Sequence, residues 1–151
     1  MKNVIEIENL TKNYGKHRGV ADVSFQVEEG DIFGFLGPNG AGKSTAIRSM
    51  LGFIRFQKGS IRIFGKDIRR DREAILGEVG YMPSETMFYP AMKVKDVIQM
   101  AADVRKKDCS KEAEKLCQRL QVDMDKKISD LSVGNRKKVG IVCAMQHRPK
   151  L

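Results

Sequence analysis

Eight consecutive residues, Gly37, Pro38, Asn39, Gly40, Ala41, Gly42, Lys43 and Ser44, put backbone freedom, one ammonium and one hydroxyl into the pattern G-x-x-x-x-G-K-[ST]. Residues of these types act on phosphate. The glycines let the main chain wrap an anion with its N–H groups turned inward. Lys43 supplies a mobile point charge for β- and γ-phosphates, and the Ser44 hydroxyl suits Mg²⁺. The expected ligand is the triphosphate of ATP. The competing reading, a glycine turn with a solvated lysine, predicts that Lys43→Ala leaves nucleotide affinity unchanged.

Such a loop needs a strand to deliver it and a helix to receive it. Asp31 to Leu36 is almost continuously apolar and predicts a strand buried on both faces. From Lys43 onward the apolar spacing predicts a helix ending near Gly52, so the loop lies at a helix N-terminus, where the dipole favours an anion. Val4 to Leu10 and Ala21 to Val27 alternate as two half-buried strands, expected to pair antiparallel across a turn rich in Gly and Lys. Gly59 to Gly65 alternates likewise and is expected to join them.

Beyond this point Arg70 to Leu76 predicts a short helix, and Val79 to Met82 a short buried strand stopped by Pro83. Val94 to Arg105 and Ser110 to Leu120 read as amphipathic helices. Ser110-Lys111-Glu112-Ala113 opens the second as a loose capping box, since Ala113 stands where Glu or Gln would complete it. Asn135 to His147 predicts a further helix. The expected organisation is an α/β core from 1–88 and 132–151, with 89–131 as an inserted helical subdomain.

Composition bounds the class. The 151 residues are 41% hydrophobic and 31% charged, which suits one globular domain rather than a disordered chain. Apolar runs such as Val139 to Met145 fall short of the ~20 residues a membrane span needs. The N-terminus carries no export pattern, so a cytosolic location is expected. Cys109, Cys117 and Cys143 are odd in number and lack C-x-x-C spacing, so they read as reduced fillers. The net charge of +9 suits phosphate ligands, nucleic acid or an anionic surface, although the basic clusters also read as solvated helix faces.

Several motifs, in order, give the chain a family resemblance. Ile7 to Gly15 resembles the first strand and aromatic loop of ABC transporter nucleotide-binding subunits, Gly37 to Thr45 their Walker A motif, and Leu131-Ser132-Val133-Gly134-Asn135 their signature sequence. The resemblance implies a P-loop NTPase core of ABC type with an antiparallel β layer and an inserted α-helical subdomain, truncated. It also implies that Tyr14 stacks on adenine while residues 37–45 hold Mg-ATP. Ser132 and the Gly134 backbone would then close on the γ-phosphate bound by a second nucleotide-binding subunit, in a head-to-tail dimer. Taken alone, Ser-x-Gly reads as a helix-capping turn.

Departures from the pattern shape the remaining expectations. Where the family places Gln or Glu to reach Mg²⁺, this chain has Ser84 followed by Glu85. Either Glu85 moves in as the metal contact or metal coupling weakens; the alternative is a solvated carboxylate. Val133 and Asn135 replace the family's Gly and Gln. Met87 to Pro90 is either the surface that meets an integral membrane permease or part of the core. The resemblance also places the Walker B Asp, catalytic Glu and switch His beyond Leu151, so hydrolysis by these residues alone is expected to be slow or absent. Sheet edges left open imply a marginal, aggregation-prone domain.

Three functions compete. The first is an ATP-binding subunit powering transport from the cytoplasmic face of a membrane. The second is a nucleotide-binding or regulatory module without turnover. The weakest is a ribosome-directed relative, which steeply salt-dependent RNA binding would support. His17 and His147 have no ligand or triad spacing and receive no role.

Overall fold

The computed structural model describes residues 2–151, which divide into two compact units, one ending at Leu76 and the other running Gly77–Leu151. The first unit is built on a sheet of four strands, with every neighbouring pair antiparallel. β1 (Asn3–Tyr14) and β2 (His17–Glu28) form a hairpin, and β3 (Lys58–Ile63) and β4 (Lys66–Asp67) extend it in the order β2-β1-β3-β4. Both expected strands of the hairpin are present and run further than alternation alone suggested. Ile5 and Ile7 face Val27 and Phe25 on one side and Ile63 and Ile61 on the other.

Strict alternation would turn Leu10 away from Ile5 and Ile7, yet all three are buried. A register shift between Ile7 and Leu10, with Asn9 at a φ of 50°, resets the phase. The Asn9 side chain donates to the Asp22 carboxylate at 2.7 Å, and Asp22 is also left-handed at 53°. Two short polar residues thus carry the backbone conformation that bulkier ones resist.

Helix α1 (Lys43–Met50) follows the glycine loop, as its spacing predicted, and α2 (Arg72–Leu76) ends the unit. The expected buried strand at Asp31 to Leu36 is not formed. Among the described residues nothing pairs with it, and a strand's polar backbone needs a ladder partner before its side chains can be enclosed. Only one side of the segment packs, where Phe33 stacks on Phe25 at 5.1 Å and Phe35 meets Phe25 edge-on at 5.2 Å. Ile32 and Leu36 are left fully exposed, at 102% and 95%.

The second unit is helical: α3 (Val94–Val104), α4 (Ser110–Leu120), a 3₁₀ turn at Ile128–Asp130, and α5 (Val133–Met145). Val94, Val97 and Ile98 of α3 meet Ala113 and Cys117 of α4 and Val139 and Val142 of α5, with Ile128 and Leu131 closing the core. Spacings of three and four residues put each set on one helical face. Burying side chains of this size contributes about 1.5–3 kcal/mol each for the larger ones.

Three local expectations need correction. Ser110 is the first residue of α4 rather than its cap; Cys109 holds the cap position, and the Asp108 carboxylate accepts from the Ser110 N–H at 3.0 Å. α5 begins two residues earlier than expected because the Ser132 hydroxyl accepts from the Asn135 N–H at 3.2 Å and caps it. Val79 to Met82 is not a regular strand. Its start pairs with the end of the chain instead: the Lys150 N–H donates to the Glu78 carbonyl at 2.8 Å and the Gly80 N–H to the Leu151 carbonyl at 2.7 Å.

Candidate functional site

Residues 37–45 form a tight turn running into α1. The Ala41 N–H bonds back to the Pro38 carbonyl at 3.2 Å, and the Ala46 N–H closes the first helical turn on the Gly42 carbonyl at 2.9 Å. The amides of Lys43, Ser44 and Thr45 lie ahead of that bond, at the end where a helix has no acceptors of its own. No acidic residue stands in this first turn, so the positive end of the dipole is not neutralised from within. From behind, the Ser49 hydroxyl donates to the Thr45 carbonyl at 2.8 Å and steadies the turn.

Gly42 caps the helix at a φ of 90°. A Cβ built there would lie 2.3 Å from the Gly19 carbonyl oxygen and 2.6 Å from a Val20 methyl. Both conformation and space therefore require glycine. The Lys43 ammonium reaches back across the loop and donates to the carbonyls of Gly37 and Pro38, at 2.5 and 2.8 Å. Among the described residues these bonds engage two of its three donors, leaving one for an anion in front of the helix.

A cleft of about 300 Å³ opens over this turn, with Asn39 to Thr45 on one side and Tyr14 and Gly19 of the hairpin on the other. Of the residues singled out from sequence, the structure therefore gathers Tyr14, Asn39, Gly40, Ala41, Gly42, Lys43, Ser44 and Thr45 around one space. Gly37 and Pro38 sit behind it and hold the lysine. Tyr14 is partly exposed, and the Lys12 ammonium lies 5.0 Å from its ring centre. Gln57 fixes the strand end that presents it, accepting from the Asn13 N–H at 3.0 Å and donating to the Asn13 carbonyl at 3.2 Å.

Gly19 was missed by sequence reasoning. A Cβ at this position would meet the Lys12 carbonyl at 2.4 Å, the Tyr14 ring at 3.1 Å and the Thr45 methyl at 3.2 Å. A glycine inside a strand is the signal that another backbone comes close; here that backbone is the Lys12 carbonyl, while the Gly19 carbonyl is in turn what bars a Cβ from Gly42.

The remaining candidates belong to the second unit. Glu85 is exposed in the loop after Pro83. Ser132 and Gly134 are exposed at the start of α5, where the serine hydroxyl serves as the cap and a Cβ on Gly134 would meet nothing within 4 Å. The apolar run beside Glu85 splits: Phe88 packs against the helical core, while Met87 and Tyr89 point outward at 90% and 66% exposure. Burial pushes the Cys143 thiol up to about 11, with Cys117 adding to the shift, and burial also raises Cys117. No helix among the described residues is long and apolar enough to cross a membrane.

Against known proteins, the family described as ABC transporter matches residues 20–151. An uncharacterised ABC transporter ATP-binding protein of Methanocaldococcus jannaschii is 35% identical over 156 aligned positions, covering 100% of this chain and 55% of that protein. The bacitracin transport ATP-binding protein BcrA of Bacillus licheniformis is 34% identical, covering 100% of this chain and 50% of its own length. The chain thus spans about half the length of the curated relatives it matches. Among solved structures, an ATP-binding subunit of an ABC transporter superposes with a TM-score of 0.83 at 28% identity, over 97% of this chain and 63% of that one. An ATP-binding cassette solved in its ADP conformation gives the same TM-score at 24% identity, a likeness of fold alone.

Proposed function

This chain belongs to the ABC transporter family of ATP-binding proteins, and from that premise we propose that it binds Mg-ATP in the cleft between the Tyr14 hairpin and the start of α1, as the phosphate-holding part of a transport ATPase subunit. The observation that carries this reading is the conjunction at Gly42. A left-handed glycine, the open amides of α1 and an ammonium drawn across the loop all address one small space with an aromatic ring on its far wall. That combination suits a triphosphate attached to a flat base.

The base would stack on Tyr14, and the triphosphate would lie along the amides of 40–45, with Lys43 neutralising its tail. Mg²⁺ fits as a companion of the nucleotide. Ser44 supplies one hydroxyl at the cleft, and the phosphates and water supply the rest of an octahedron. Glu85 is the candidate carboxylate for the same ion. Within an assembled transporter, Ser132 and Gly134 would face the γ-phosphate of a second subunit. Met87 and Tyr89 would meet a membrane permease at the cytoplasmic face. Titration with fluorescent ATP tests the central claim: Lys43→Ala should weaken binding by at least tenfold, and unchanged affinity would remove the loop from the site. Phosphate release measured on the same samples separates binding from turnover.

A further inference from the structure

Away from the phosphate loop, the second unit buries a histidine to which sequence reasoning gave no role. His147, 2% exposed, follows α5 and places its Nε2 3.2 Å from the Val79 carbonyl oxygen. A carbonyl only accepts, so the proton of the neutral ring sits on Nε2 and the lone pair on Nδ1. Nδ1 is also buried and meets no hydrogen-bonding partner among the described residues.

Two cations bear on the ring. Arg105, capping α3, extends a guanidinium N–H to the same Val79 carbonyl at 3.4 Å, and Lys107 donates to the carbonyl of His147 itself at 2.9 Å. Two carboxylates on neighbouring segments form ion pairs, Glu78 with Lys150 and Glu112 of α4 with Arg148 at 2.6 Å. Beside the ring, the buried Gln146 side chain donates to the Ile98 carbonyl at 3.0 Å and so ties α5 to α3. His147 therefore joins three segments: the end of α3, the end of α5, and the Glu78–Gly80 stretch ahead of Ser84 and Glu85.

We propose that His147 is an acid-sensitive latch on the Glu78–Gly80 segment. Neutral, it donates to Val79 and holds that segment against the helix ends. Protonated, it would bury a second N–H without an acceptor and add a third positive charge beside Arg105 and Lys107, so the segment is released. Burial, followed by the Arg105 charge, keeps the imidazole below its ordinary range; the Val79 carbonyl opposes this, and Lys107 adds a smaller push in the same direction as burial. The released chain takes up the proton more readily than the latched one. Latching is therefore complete above about pH 6.5 and is lost as pH falls below it.

The 151-residue chain tests this directly through its His147 ring and the amides beside it. NMR titration of the His147 ring between about pH 5 and pH 8 should show it protonating below about 6.5, the ordinary value of an unperturbed imidazole. Exchange of the Gly80 and Lys150 amides, which bond Leu151 and Glu78, should report release. After correction for intrinsic rates, their opening should increase by up to about tenfold per pH unit below 6.5. His147→Gln keeps a donor for Val79 and cannot titrate, so it should abolish that slope. Lys107→Met should move the His147 titration upward. Should His147→Gln fail to fold, the comparison of wild type with Lys107→Met decides. A His147 titration at the value of an unperturbed imidazole, a flat wild-type exchange profile, or a His147 titration unmoved by Lys107→Met would overturn the latch.

Discussion

Gly42 has two independent reasons to be glycine, and they act on different observables. Its φ of 90° costs any other residue roughly 1–2 kcal/mol. The 2.3 Å approach of a would-be Cβ to the Gly19 carbonyl adds a clash that only backbone movement relieves. Gly42→Ala should therefore lower the melting temperature and, by lifting the loop from the hairpin, weaken ATP binding at least tenfold. Lys43→Ala should weaken binding while leaving the melting temperature nearly unchanged, since among the described residues its side chain bonds only loop carbonyls. Calorimetry beside nucleotide titration separates the two; equal melting points would show that the loop does not rest on Gly19. The cysteines permit a second check at this scale. Cys143 is held up to about 11 by burial, so alkylation at pH 8 should label it far more slowly than a free thiol. Labelling at the free-thiol rate would mean that the α4–α5 packing opens readily.

Among the elements, α5 depends on one hydroxyl. Ser132 accepts from the Asn135 N–H, and the first turn carries no acidic residue to offset the dipole. Ser132→Ala should cost about 1 kcal/mol of stability. Ser132→Asp, which caps as well or better and adds a favourable charge, should restore it. If the proposed role toward a second subunit holds, Asp will not restore ATP-dependent dimerisation, because it sets a carboxylate against a phosphate. Restoration of both by Asp would reduce Ser132 to a cap alone. What was legible in the sequence at this scale follows contact range. α1, α3 and α4 were readable because three-to-four spacing is written within a dozen residues. The glycine loop was readable because its chemistry is contiguous. Gly19 was not, since its neighbour Gly42 lies 23 positions along the chain. Nor was His147, whose surroundings Val79, Arg105 and Lys107 come from two stretches at least 40 positions back along the chain. The strand expected at Asp31 to Leu36 failed for the same reason. Its apolar residues recorded a preference for enclosure, whereas enclosure itself depends on ladder partners that the described residues do not provide.

Across the whole molecule, two opposing surface terms should set its behaviour in solution. Ile32 and Leu36 stand fully exposed on a segment without a ladder partner among the described residues, an arrangement that templates pairing with another chain. Against this, a net charge of +9 keeps like molecules apart. The repulsion is long-ranged and screened by salt, with a Debye length falling from about 10 Å at 0.1 M to about 3 Å at 1 M, while apolar contact between chains is not weakened by salt. Raising salt should therefore drive self-association, visible as rising light scattering. Replacing Ile32 and Leu36 together with Thr retains strand preference while removing most of the apolar surface. It should hold scattering flat over the same range, and since neither side chain packs in the folded unit, the cost in stability should stay near 0.5 kcal/mol per site. A double variant that associates as readily as the parent would place the sticky surface elsewhere, with Met87 and Tyr89 in the second unit the next residues to replace.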